Sequence, residues 1–285
     1  MSKRKPIIIL ADNGSTKASA TLQLRSIAKQ LSERVHQDIY PVSLQHADVI
    51  SADELGGMKA SVLRTFLREQ LALGEREFII VPLFFGNSRA LTKFIPDLQR
   101  KLEEECGEIN ITVKDTLYQP SSDYSNQVKE KEQASLAQII ADHILQTSKV
   151  TSTPLENIVL VDHGSPSPKI TAVRNGVADD IQVILSKKVE QAAMERRTGK
   201  QYDFNGDLLE DWLITKAKQS VTGKKINVIV ALMFSLPGRH AGDGGDIVTI
   251  CNSVTQRYPN FKVAITPLVG EHPLLLDILV NRLNA

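Results

Sequence analysis

The feature that most constrains this chain is a repeat. Laid over itself at an offset of 150 residues, Ala11-Asp12-Asn13-Gly14-Ser15 falls on Val161-Asp162-His163-Gly164-Ser165, and Val81-Pro82-Leu83-Phe84 with Arg89-Ala90 falls on Ala231-Leu232-Met233-Phe234 with Arg239-His240. Val113 and Thr116 fall on Val263 and Thr266 in the same register. Three separated segments in one register define two homologous halves, 1–148 and 153–285, because self-similarity at a fixed offset marks one structural plan used twice. The seam, Thr147-Ser148-Lys149-Val150-Thr151-Ser152-Thr153-Pro154, is polar and β-branched with a closing proline, which is linker chemistry.

Each half alternates short apolar runs with segments of helical spacing. In the first, strands are expected at Pro6–Ala11, Ile39–Leu44, Phe78–Phe85 and Ile109–Leu117, and helices at Lys17–Val35, Met58–Leu73, Leu91–Glu105 and Asn126–Gln146. The second half repeats the order, with strands at 157–162, 189–194, 226–234 and 261–267 and helices at 170–186, 207–221, 243–257 and 273–283. Val189-Glu190-Gln191-Ala192-Ala193-Met194 is rich in helix formers, and only the repeat makes it a strand. Strands that alternate with helices build a parallel sheet covered on both faces, and the near-unbroken apolar runs suit such burial. The fold class is therefore α/β: two pseudo-symmetric lobes, each a mostly four-stranded parallel sheet flanked by helices.

Composition excludes several function classes. A chain of 285 residues with 42% hydrophobic and 24% charged residues is long enough for two cores, and a formal net charge of +1 gives no global pull toward nucleic acid or membrane. The basic start Met1-Ser2-Lys3-Arg4-Lys5-Pro6 is followed only by Ile7 to Leu10 before Ala11-Asp12, too short for a signal-peptide core, and no stretch approaches the roughly 18 apolar residues of a membrane span. A cytoplasmic location is expected. Two cysteines, Cys106 and Cys251, support neither a disulfide framework nor a cysteine-rich zinc site.

Chemistry concentrates in the second half. Asp162-His163-Gly164-Ser165-Pro166-Ser167-Pro168 follows Ile158-Val159-Leu160-Val161, and Pro237-Gly238-Arg239-His240 follows the run Ile226–Phe234, so each histidine sits just past the C-terminal end of a strand. Ligands bind at that edge in open parallel sheets. If the strands are neighbours, His163 and His240 share one site suited to a metal or a proton, since imidazole titrates near pH 6.5 and ligates borderline metals such as Fe2+, Co2+ and Ni2+. The first half carries Asn13 and Ala90 at these positions and reads as a retained scaffold.

Leu160-Val161-Asp162-His163-Gly164-Ser165, the Pro-Gly-Arg-His at 237–240 and Leu268-Val269-Gly270-Glu271-His272-Pro273 together resemble the class II tetrapyrrole chelatases, and within them the sirohydrochlorin cobaltochelatase and ferrochelatase family in its long, duplicated form. The resemblance implies a chelatase-like fold and insertion of a divalent metal, Co2+ or Fe2+, into a metal-free tetrapyrrole such as sirohydrochlorin, in siroheme or cobalamin biosynthesis. The metal ion is then a substrate and no organic cofactor is expected. His163 and His240 take the family's roles of binding the metal and accepting pyrrole protons, although many long members hold that pair in the first half. Glu195 is a candidate third ligand, a carboxylate beside the two histidines. Ser165, Arg174, Gly238, Arg239 and Glu271 are candidate substrate contacts, with Arg196 and Arg197 adding positive charge for the ring's carboxylates. The expected partner is the tetrapyrrole, with no nucleic acid or membrane, and a homodimer is left open.

Other readings compete. Glu271 and His272 precede Pro273, so helix capping accounts for them as well as catalysis does. Ser165 lacks the G-x-S-x-G elbow of a hydrolase nucleophile. His36, His46 and His143 lie in polar or helical surroundings and read as structural. A non-catalytic metal or tetrapyrrole binding or delivery protein would use the same histidine pair.

Overall fold

The structure is a computed structural model that describes residues 5–118 and 135–285. In chain order the elements of the first half are β1 (Ile7–Asp12), α1 (Ala18–Val35), β2 (Ile39–Ser43), α2 (Leu63–Ala72), β3 (Glu77–Pro82), α3 (Ile95–Cys106), β4 (Asn110–Val113) and α4 (Leu136–Thr151). Those of the second are β5 (Ile158–Asp162), α5 (Pro168–Leu185), β6 (Val189–Ala193), α6 (Leu209–Lys218), β7 (Ile226–Leu232), α7 (Asp246–Arg257), β8 (Phe261–Ile265) and α8 (Leu274–Asn284). They form two four-stranded sheets, β2-β1-β3-β4 and β6-β5-β7-β8, in which every pairing is parallel. The α/β architecture with four parallel strands per sheet is the one expected.

Burial explains the composition of the strands. β5 is buried along its whole length, and β1 is buried from Ile8 onward. One face of the first sheet packs Ile9, Phe78 and Ile80 against Leu63, Leu67, Ile95 and Leu98 of α2 and α3. The corresponding face of the second packs Val159, Val228 and Val230 against Trp212, Leu213, Ile247 and Val254 of α6 and α7. Each fully buried side chain of this size contributes about 1.5–3 kcal/mol.

β6 is a strand despite its helix formers. It is an edge strand, so one side needs no partner, and Glu190 meets Lys188 at 3.2 Å and Lys216 at 2.7 Å while Val189, Ala192 and Ala193 go inward. Tertiary pairing outweighs local propensity here.

Other expectations need correcting. The helix expected from Met58 begins at Leu63, because Gly56 and Gly57 take positive φ after a short 3-10 turn at Asp53–Leu55 and Val62 is extended, bridged to Ser43. The part of the expected helix at 126–134 lies outside the described residues; α4 starts at Leu136 behind Ser135, whose hydroxyl accepts the Gln138 N–H. The expected linker at 147–154 is largely helix, since α4 runs through Thr151 and buries Thr147 before Ser152 ends it at φ 53.

The register also shows where the repeat slips. Leu10 pairs with Val81 as Leu160 pairs with Ala231, an offset of 150, but Ile80 pairs with Val113 as Val230 pairs with Ile265. The counterpart of Val113 is thus Ile265, not Val263, and the second half holds two extra residues. They fall in the glycine-rich loop between His240 and α7, because Leu91 and Ala241 still correspond at 150 while Ile95 and Ile247 correspond at 152.

Two compact units divide the described residues: 5–118 with Leu276–Ala285, and 135–275. They differ from the sequence halves in the closing helices. α4, from the first half, packs against α5 and β7 in the second unit, and most of α8, from the second half, belongs to the first unit. In the second unit His143 of α4 bonds the carbonyl of Leu268 at 3.1 Å, and in the first Arg282 of α8 donates to the carbonyl of Thr116 at 2.8 Å. Those carbonyls occupy equivalent places beyond β8 and β4.

Candidate metal centre

Parallel pairing of β5 with β7 puts the ends of both strands side by side and delivers the two histidines to one place. The His163 and His240 rings meet edge to face at 4.6 Å between centroids, with Nε2 to Nε2 3.3 Å. Two nitrogens each about 2.0–2.1 Å from one tetrahedral ion lie about 3.3–3.4 Å apart, so this is the spacing of a ligand pair.

Both rings are oriented from behind. His163 Nδ1 lies 3.2 Å from the Gly164 carbonyl, and His240 Nδ1 lies 2.7 Å from Asp246 Oδ2 at the start of α7. With the Nδ1 protons donated to these oxygens, both Nε2 atoms carry lone pairs. A carboxylate behind a ligand histidine fixes its tautomer and raises its basicity.

Glu195 Oε1 stands 3.4 Å from His163 Nε2, with both side chains about half exposed. The backbone brings it there: the Glu195 N–H donates to the His163 carbonyl at 3.1 Å, and a Cβ on Gly164 would come within 1.8 Å of the Glu195 carbonyl oxygen. Gly164 also has φ +88, so its role is to let the end of β6 approach the His163 loop rather than to admit a flat ligand. Among the described residues no group of three or more His, Cys, Asp and Glu side chains closes around one point. The arrangement is an open two-histidine site with a carboxylate beside it, which suits an ion held for transfer.

The remaining candidates divide. Arg239 is exposed, its Nε 3.8 Å from Asp246, and is free to turn toward an anion. Gly238 closes the His240 loop by donating to the Ala241 carbonyl at 2.7 Å. Arg196 is engaged with the Gly206 carbonyl at 3.0 Å and Asp203 at 3.3 Å. Glu271 accepts the Leu268 N–H at 3.0 Å, the capping function.

Arg174 corrects the expectation of a substrate contact. It is 2% exposed and donates to Asp162 Oδ1 at 3.0 Å and to the Asn205 carbonyl at 3.0 Å. Burial pushes the Asp162 carboxyl upward, and Arg174 opposes that. Ser165 belongs to the same buttress. Its N–H donates to Asn205 Oδ1 and its carbonyl accepts from Asn205 Nδ2, both at 2.9 Å, while its hydroxyl accepts the Ser167 N–H at 3.0 Å. Asp246 and Asn205 were not legible as site residues. An acidic residue six positions after His240, at a helix start, was the available signal for Asp246; Asn205 offered none.

All of this builds on the fold of the sirohydrochlorin chelatases. The structure matches SirB from Bacillus subtilis with Fe3+ at TM-score 0.67 and 14% identity, covering 99% of this chain and 95% of that one. It matches SirB from Bacillus subtilis subspecies spizizenii in complex with cobalt at TM-score 0.61 and 14% identity, over 99% and 94% of the two chains. CbiX, described as the terminal enzyme for biosynthesis of siroheme in denitrifying bacteria, matches at TM-score 0.56 and 13% identity over 98% of each chain. At these identities the likeness is one of fold. Sequence adds a similarity: residues 157–285, a stretch that contains both histidines, match the CbiX family model. No curated protein matches the chain closely enough to count as a relative.

Proposed function

We propose that the protein is a metal chelatase that inserts Co2+ or Fe2+ into a metal-free tetrapyrrole of the sirohydrochlorin type in the cytoplasm. The observation that carries this reading is the 3.3 Å approach of His163 Nε2 and His240 Nε2, with each Nδ1 committed elsewhere. Insertion of a dication releases two N–H protons from the macrocycle. The two lone pairs hold the ion first, with Glu195 alongside, and become the acceptors for those protons as the ion leaves. Asp246 stabilises the imidazolium that forms on His240. Two neutral ligands bind a divalent ion weakly enough to surrender it to four pyrrole nitrogens, and Arg239 is placed to meet a ring carboxylate.

The test mixes purified protein with metal-free sirohydrochlorin and Co2+, Fe2+ or Ni2+ in turn and follows the visible spectrum. Replacing His163 or His240 by Ala is expected to lower the insertion rate about 10²–10⁴-fold, the usual loss for a general base. Thermal unfolding of each variant checks that the fold survives. Near-normal rates in both variants would overturn the proposal, and metal binding without any spectral change in the ring would point to storage or delivery.

A further inference from the structure

The first unit has a cavity at the place that corresponds to the candidate metal centre, with different chemistry. At the C-terminal edge of its sheet lies a cavity of about 350 Å3, and three residues of its wall are repeat counterparts of the candidate metal centre: Asn13 for His163, Gln45 for Glu195 and Ala90 for His240. The backbone cradle is the same. The Gln45 N–H donates to the Asn13 carbonyl at 3.3 Å, and a Cβ on Gly14, at φ +93, would come within 1.7 Å of the Gln45 carbonyl oxygen, as at Gly164. What differs is that each base has become a neutral amide or a methyl.

The sign of the surrounding charge differs too. In the second unit the carboxylates of Glu195 and Asp246 stand about the histidines beside Arg239. In the first, Arg89 and Lys93 line the cavity, and the carboxylate in its wall, Asp97, is shared between Lys93 at 3.2 Å and Arg100 outside it. Among the described residues Arg89 has no ion-pair partner. A π-type turn at Ala90–Phe94, of a kind that recurs at functional sites, precedes α3, with Arg89 at its N-cap and Lys93 in its last turn. Leu44 and Phe94 give the cavity an apolar floor.

Two cations and two amide donors over an apolar floor are the inverse of a cation site. We infer that this pocket of the first unit is an anion site, one that takes the carboxylate of a ligand with an apolar body and does not take the metal. Carboxylate recognition by amide N–H groups, a guanidinium and an ammonium is directional and charge-assisted. Because the cations are exposed, binding is modest and weakens with salt. The carboxylate belongs either to a free small organic acid or to the tetrapyrrole.

The full-length protein, without metal, is titrated calorimetrically with tricarballylate, with its neutral triamide and with metal-free sirohydrochlorin, at low and high salt. The same titrations are run on an Arg89→Gln/Lys93→Gln double variant, and both proteins are also titrated with Co2+ alone. Expected are a loss of at least fivefold in carboxylate affinity in the double variant, a similar loss in high salt, no binding of the triamide, and Co2+ affinity unchanged within about twofold. Response to tricarballylate identifies a free acid as sufficient, and response to sirohydrochlorin alone identifies the ring's own carboxylates. The inference is overturned if neither probe binds the wild type, if the double variant binds both as tightly, if the triamide binds equally well, or if Co2+ affinity falls with the substitutions. These readouts use affinity without metal, whereas the chelatase reading stands on rates of His163 and His240 variants, so either fails independently.

Discussion

At the scale of single residues, the two histidines are set apart from ordinary loop histidines by what lies behind them. The Asp246 carboxylate receives the His240 Nδ1 proton at 2.7 Å and so leaves Nε2 as the ligand. Asp246→Ala is expected to lower Co2+ affinity about 10–100-fold, the usual loss for removing a carboxylate behind a metal-binding histidine. Calorimetric titration reads that loss; an unchanged affinity would show that the tautomer is set elsewhere. The histidine pair was legible because the repeat placed both at strand ends and removed both from the other half. Arg174 was not, because a sequence displays a charge without its depth. A physical clue was nonetheless present. Asp162 ends an all-apolar strand, and a carboxylate buried there needs a cation or donors, which Arg174 and the Gly164 N–H supply at 3.0 and 3.2 Å. Asn205 could not be read at all, since its two bonds to Ser165 join positions forty residues apart through a 3-10 turn with no pattern of its own.

At the scale of elements, strand order and type followed from alternation, whereas helix ends followed from contacts the sequence does not display. α4 is the clearest case. Its His143 is 4% exposed and shares its N-Hε2 with the Leu268 carbonyl at 3.1 Å, while Nδ1 is buried with no hydrogen-bond partner. The groups that face it are His272, edge to face at 5.1 Å, with Asp142 and Glu271 nearby. Burial, and then the neighbouring His272, push the His143 pKa below its ordinary value of 6.5. The folded state therefore binds this proton less well than the unfolded state, whose histidine titrates near the ordinary value, so stability is full above about pH 6.5 and falls as pH drops below it. The slope of that fall is at most about 1.4 kcal/mol per pH unit for one group. His143→Gln keeps a donor for the Leu268 carbonyl and removes the titration. In urea unfolding at pH 7.5, 6.5 and 5.5 the wild type is expected to lose more stability toward acid than the variant does. Parallel pH profiles would show that His143 is not the titrating group. The docking of α4 onto the loop before α8 is thus expected to weaken toward acid.

At the scale of the whole molecule, the repeat predicts halves at 1–148 and 153–285, whereas the compact units divide the chain differently and exchange the closing helices. α4 buries Ile139, Ile140 and Ile144 at 0–1% exposure in the unit that contains β5 to β8, although the sequence places it in the first half. The sequence could not show this, because hydrophobic periodicity states that a helix has an apolar face without stating which sheet receives it. At about 1.5–3 kcal/mol for each buried isoleucine, these three contribute roughly 5–9 kcal/mol, comparable to the whole stability of an ordinary domain. A fragment cut at the repeat boundary, residues 153–285, lacks that helix and exposes the surface of α5 and β7 that it covers. A fragment cut along the contacts, residues 135–275, keeps both the helix and His163 with His240. The expected outcome is that 135–275 shows a cooperative thermal transition and binds Co2+ with an affinity near that of the full chain. Residues 153–285 alone should show weak far-UV dichroism and no sharp transition, and should recover structure when a peptide of residues 135–152 is added in excess. If 153–285 unfolded as cooperatively as 135–275 and gained nothing from the peptide, α4 would be an ornament on the second unit rather than part of its core, and the exchange of helices would carry no weight in holding the candidate metal centre together.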